Sequence, residues 1–106
     1  MYRQGDVLLV PVAPSEVPSA ALATPVDRRG RFVLARGEAT GHAHVVAGPG
    51  LRVLADPVDA DLLFVDVPTK GVLTHDEHGS IHLPSGHYRV IRQREYIPGS
   101  YRPIAD

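Results

Sequence analysis

The sequence predicts an all-β protein, a small single-domain sandwich or barrel of about eight short, mostly antiparallel strands. Three observations carry this. Ten Gly and ten Pro in 106 residues interrupt the chain so often that the longest stretches free of both are His87 to Ile97 and Val58 to Val67, which excludes long helices. The segments between the breakers are rich in Val, Leu, Ile, Phe and Tyr and recur at roughly ten-residue spacing. The connectors between them are too short for parallel crossovers, so neighbours are expected to pair as antiparallel hairpins.

Taken in order, the expected strands are Asp6 to Val12, Arg31 to Arg36, His42 to Ala47, Leu51 to Ala55, Asp61 to Val67, Val72 to His75, Ser80 to Leu83 and Tyr88 to Tyr96. Arg29-Gly30, Gly48-Pro49-Gly50, Pro68-Thr69-Lys70-Gly71, His78-Gly79-Ser80 and Pro84-Ser85-Gly86 have turn composition and are read as the links between them. Residues 1–106 form one domain, with 13–30 a proline-punctuated surface loop and 98–106 an extended C-terminal arm. Strand centres nominate Val7, Leu9, Val33, Val45, Leu54, Leu63, Val65, Leu73, Leu83 and Val90 as core.

Composition narrows the function. Hydrophobic residues at 43% and charged residues at 22% describe a globular chain, and a net charge of −1 gives no global electrostatic reason to bind nucleic acid or an acidic membrane. With no Cys there is no disulfide scaffold, thiolate zinc site, iron–sulfur cluster or Cys nucleophile. No apolar run approaches a membrane span and no secretory leader is visible, so the cytoplasm is the expected compartment. Val7-Leu8-Leu9-Val10 and Leu62-Leu63-Phe64-Val65 are continuous apolar runs whose strands need cover on both faces, and a homo-oligomer is the expected source of that cover.

The histidines carry the chemistry. Gly41-His42-Ala43-His44 is an H-x-H pair, and in a strand its two imidazoles share one face, spaced to hold one ion. His75-Asp76-Glu77-His78 offers further ligands, with Asp76, Glu77 and Glu38 as carboxylates able to orient them. The candidate metal ligands are therefore His42, His44, His75 and His78. An all-nitrogen and oxygen donor set suits a divalent metal, Zn²⁺ first among Zn²⁺, Ni²⁺, Cu²⁺, Mn²⁺ and Fe²⁺. The competing reading is that the same histidines are solvated, or hydrogen-bond nearby backbone to hold a turn. His82, alternating with Ile81 and Leu83, is expected to be exposed.

Arg3-Gln4-Gly5-Asp6-Val7, Gly37-Glu38-Ala39-Thr40-Gly41-His42-Ala43-His44, Thr74-His75-Asp76-Glu77-His78 and the run from Leu83 to Tyr96 together resemble the motif frame of a family of small uncharacterised bacterial and phage-associated proteins. The resemblance covers most of the chain outside 13–30 and implies no activity. A second likeness, of motif alone, is to cupins: Gly37 stands upstream of His42 and His44, and Pro84-Ser85-Gly86 precedes His87. The chain departs from cupins in having Val45-Val46-Ala47-Gly48 where their glutamate is expected.

Three functions follow as expectations. The first is a non-catalytic binding protein with a histidine-based divalent-metal or small-ligand site. The second is an oligomeric structural or assembly protein in which the histidines are incidental. The third is a cupin-like metalloenzyme, which would also need a pocket and an acid–base group, and for which the sequence names no catalytic residue.

Overall fold

The computed structural model describes residues 1–36, 43–59, 61–92, 94–97 and 100–103. Among them the only helical element is one 3-10 turn, Pro14–Glu16, and every strand pairing is antiparallel. Eight strands form one sheet: β1 (Tyr2–Gln4), β2 (Val7–Val12), β3 (Leu22–Thr24), β4 (Arg31–Arg36), β5 (Ala43–Ala47), β6 (Arg52–Ala55), β7 (Leu63–Thr74) and β8 (Ile81–Arg92). Two more, β9 (Arg94–Ile97) and β10 (Ser100–Pro103), pair with each other. The all-β expectation holds, and no helix of the described residues is long and apolar enough to cross a membrane.

The sheet runs β1-β2-β8-β7-β5-β4, with β6 pairing the first part of β7 and β3 pairing β6. The long hairpin β7–β8 is its spine. Four expected strands became these two, because Pro68-Thr69-Lys70-Gly71 and Pro84-Ser85-Gly86 do not reverse the chain. They lie opposite each other inside the hairpin: Val67 faces Gly86, Lys70 faces Pro84, and the register shifts between Val67 and Lys70. A bulge accommodates prolines by leaving residues outside the ladder, so composition that reads as a turn serves here as a bend.

That bend matters for packing. Before it, β7 pairs β6 through Val53 and Val65; after it, β7 pairs β5 through Val46 and Leu73. All four side chains belong to one buried cluster with Val7, Leu9, Val67, Leu83, Tyr88 and Val90. One face of a flat sheet cannot form a core against itself, so the two halves curve toward one another across the bulge.

Three expected core positions are corrected. Val33 is exposed, and Val45 and Leu54 are only half-buried, whereas their neighbours Leu34, Val46 and Val53 are buried; Leu63 is half-buried but packs against the core on the face it shares with Val65. A strand alternates with period two, so a one-residue error in phase exchanges the faces. In β4 the phase is further reset by a register shift between Val33 and Ala35. Residues 13–30, expected as surface loop, hold the 3-10 turn and the mostly exposed edge strand β3, which pairs β6. In the expected C-terminal arm, β10 folds back on β9, while Pro98, Gly99 and 104–106 lie outside the described residues.

Much of the two apolar runs is covered within the chain. Val7 and Leu9 are fully buried on one side of β2 and Leu8 is 6% exposed on the other, while Phe64 and Val65 are both buried. Val10, Leu62 and Leu63 of the same runs stay half-buried.

Candidate metal centre

Three sequence motifs meet at one end of the core. Gln4 and Asp6 arrive on the β1–β2 hairpin, whose two-residue turn Gly5-Asp6 links the facing pair Gln4 and Val7. Gly5 has φ +58° while no other residue type in the described chain has positive φ, the pattern of a turn with glycine at its first central position. His44 comes from β5, pointing inward on the same face as Val46. His75, Asp76, Glu77 and His78 form the connection from β7 to β8.

His44 is wholly buried and each ring nitrogen faces a side-chain oxygen. Nδ1 lies 3.0 Å from Gln4 Oε1, and Nε2 lies 3.1 Å from Asp6 Oδ1. The orientation of the Gln4 amide is settled by its other end, since Nε2 donates to the Leu73 carbonyl at 3.0 Å and to the Gly79 carbonyl at 2.8 Å. Its Oε1 is therefore the acceptor presented to His44, which places a proton on His44 Nδ1. Gln4 thus ties together the start of the chain, the end of β7, the turn before β8 and β5.

The other histidines stack beside this network. Ring centroids of His44 and His75 are 4.3 Å apart, those of His75 and His78 are 4.5 Å apart, and those of His44 and His78 are 6.1 Å apart. His75 Nδ1 accepts the Glu77 backbone N–H at 3.0 Å. His78 Nε2 is buried and has no hydrogen-bond partner.

Metal–nitrogen bonds of about 2.0–2.1 Å put the centroids of two imidazoles on one ion about 4.5–5.2 Å apart at bond angles near 90–109°. The His75–His78 pair sits at the short, 90° end of that range, and His44 and His78 lie outside it. Among the described residues no three His, Asp or Glu side chains are placed to hold one ion together. His42 and Glu38 lie outside the described residues, and Asp76 and Glu77 are exposed.

Sequence reasoning nominated His44, His75 and His78, and the fold brings all three together. It passed over Gln4 and Asp6 as site residues, although both stand in the Arg3-Gln4-Gly5-Asp6-Val7 motif. The available signal was a glutamine and an aspartate flanking a hairpin glycine ahead of a buried strand. The remaining two histidines are elsewhere: His82 is exposed, as expected, and His87 faces Asp66 on β7, with Nε2 3.5 Å from Oδ1. Asp66 also holds Arg52 at 3.1 Å.

Fold and cluster define a small antiparallel β protein built around a bent sheet, with a buried histidine network at one end. A family model for a domain of unknown function, DUF8820, matches residues 3–93, and the chain belongs to that family. Comparison with curated proteins and with solved structures finds no match.

Proposed function

We propose that the protein is a non-catalytic binding protein that takes a divalent metal, Zn²⁺ first, at the histidine cluster. The observation that carries the reading is the pair His75 and His78: 4.5 Å between centroids, with the buried Nε2 of His78 lacking any partner. In this reading His42, nominated by its H-x-H spacing, is the third ligand. Gln4 and Asp6 hold His44 as the wall of the site rather than as a ligand, because both of its nitrogens are engaged. Coordination through His75 would cost the Glu77 N–H bond, about 1 kcal/mol, which is small against the roughly 10–16 kcal/mol of a structural zinc site. The bacterial or phage-associated setting, the cytoplasmic location and self-association are part of the same proposal.

The engagement of His44 favours a second reading, in which the cluster is a structural lock and the protein an assembly component. One experiment separates the two. Zn²⁺ or Ni²⁺ is titrated into metal-free wild type, His78→Ala and His42→Ala, and thermal stability is followed at about pH 7.5 and about pH 5.5. Ligand imidazoles must be neutral, and the unperturbed histidine pKa is about 6.5. The metal reading expects stabilisation of about 2.7 kcal/mol at a hundredfold excess over Kd, present at the higher pH, lost at the lower, and lost in both variants. An unstabilised wild type, or a His78→Ala protein stabilised equally, overturns the metal reading and leaves the second as the favoured one.

A further inference from the structure

A concavity lies away from the histidine cluster, on the outer face of the sheet. It has a volume of about 530 Å³ and is lined by, among others, Arg29, Ala47, Gly48, Lys70, Val72 and His82. Register explains its floor. Ala47 faces Val72 across β5 and β7, and Val72 faces His82 across β7 and β8, so the three form one cross-strand row. Leu73 and Val46, each one residue away, are fully buried on the opposite face, so this row belongs to the outside. Lys70 stands two residues before Val72 and therefore rises from the same face.

The rim is cationic. Arg29, Lys70 and His82 are the ionisable residues that line the groove, with no acidic side chain among the lining residues. None of the three has an ion-pair partner among the described residues; the nearby Asp27 carboxylate is engaged by Arg31 at 2.9 Å. The backbone beneath Lys70 is held close: a Cβ on Gly48 would collide with the Lys70 carbonyl oxygen, so only glycine lets the β5 end sit against β7 there. The bulge at Val67 and Lys70 and this close approach set Lys70 at the edge of the groove.

We propose that this groove binds a small organic acid, its carboxylate held by Arg29 and Lys70 with His82 beside them, and its apolar body laid on Ala47 and Val72. The volume is within the roughly 300–1,000 Å³ of small-molecule sites, and an apolar floor with a few convergent polar groups is their usual makeup. Two permanent cations with no acidic side chain among the lining residues favour an anion, and the arginine fork suits a carboxylate. The site shares no residue with the histidine cluster, so either can fail without the other.

Benzoate is the probe, titrated into metal-free protein and followed by backbone amide chemical shifts, with benzamide as its uncharged counterpart and inorganic phosphate as an anion without an apolar body. Saturable shifts confined to Ala47, Gly48, Lys70 to Val72 and His82 are expected with benzoate, with binding at least about tenfold weaker for benzamide and for phosphate. Lys70→Glu and the double variant Arg29→Ala/Lys70→Ala, all at exposed positions, are expected to weaken benzoate by about tenfold or more while leaving thermal unfolding unchanged. The proposal is overturned if benzoate gives no saturable shifts there, if benzamide or phosphate binds as tightly, or if Lys70→Glu binds benzoate like wild type.

Discussion

Gln4 Oε1 accepts from His44 Nδ1 at 3.0 Å, joining two residues forty positions apart in the chain and both buried. Because the Gln4 amide nitrogen also donates to Leu73 and Gly79, one side chain satisfies three groups on three separate parts of the fold.

Replacing Gln4 by Ala strands the buried Leu73 carbonyl and the His44 ring N–H at once, and frees the Gly79 carbonyl at the edge of the site. Each unsatisfied buried group costs about 1–3 kcal/mol, with overlap between them, so Gln4→Ala is expected to lose about 3 kcal/mol in urea unfolding. In a cycle with His44→Ala the two losses should be non-additive by about 1 kcal/mol or more. Additive losses would mean that Gln4 serves only the two carbonyls.

Tyr88 gives a prediction at alkaline pH. Burial, and then the neighbouring Tyr2, raise its pKa above the ordinary 10.0. The rings of Tyr2 and Tyr88 meet edge to face at 5.9 Å, and the Tyr88 hydroxyl donates to the Pro84 carbonyl at 2.6 Å. Since the folded value lies above the unfolded one, this group's contribution is fully present below pH 10.0 and is lost as pH rises through the folded value. The stability advantage of wild type over Tyr88→Phe, measured by denaturant unfolding, should therefore shrink above about pH 10. An advantage that does not change across that range would count against the assignment.

At the acid end one such group is Asp27, whose pKa, like that of Asp56, lies below its ordinary 3.8. The Arg31 backbone N–H is the chief cause, opposed by desolvation and assisted by the Arg31 side chain and the Arg29 N–H. Its Oδ1 accepts both backbone N–H groups at 2.9 Å and closes the turn that leads into β4. A depressed carboxylate contributes above the unfolded value and ceases to contribute as pH falls through the folded one. Asp27→Ala should consequently be less heat-stable than wild type at neutral pH, and the difference should close below about pH 4. Thermal scans from neutral to acid pH read this directly, and a gap that persists at the lowest pH would assign the effect to packing.

The strand content and the histidine clustering were legible because they are local. Gly and Pro act on their own backbone, and runs such as Val7 to Val10 declare a buried strand without reference to any partner. His44, His75 and His78 stood out by residue type and spacing alone. Tertiary structure decided the remainder. Whether Pro68 to Gly71 turns the chain or bends a strand depends on what faces it, and what faces it is the second breaker segment, Pro84 to Gly86, within one long hairpin. The phase of β5 depends on His44 being drawn inward to Gln4 and Asp6, which buries Val46 and leaves Val45 half-buried. Gln4 and Asp6 became site residues only when the β1–β2 hairpin carried them to β5, because a hydrogen bond between distant residues is written in the folded geometry and in neither residue's neighbourhood.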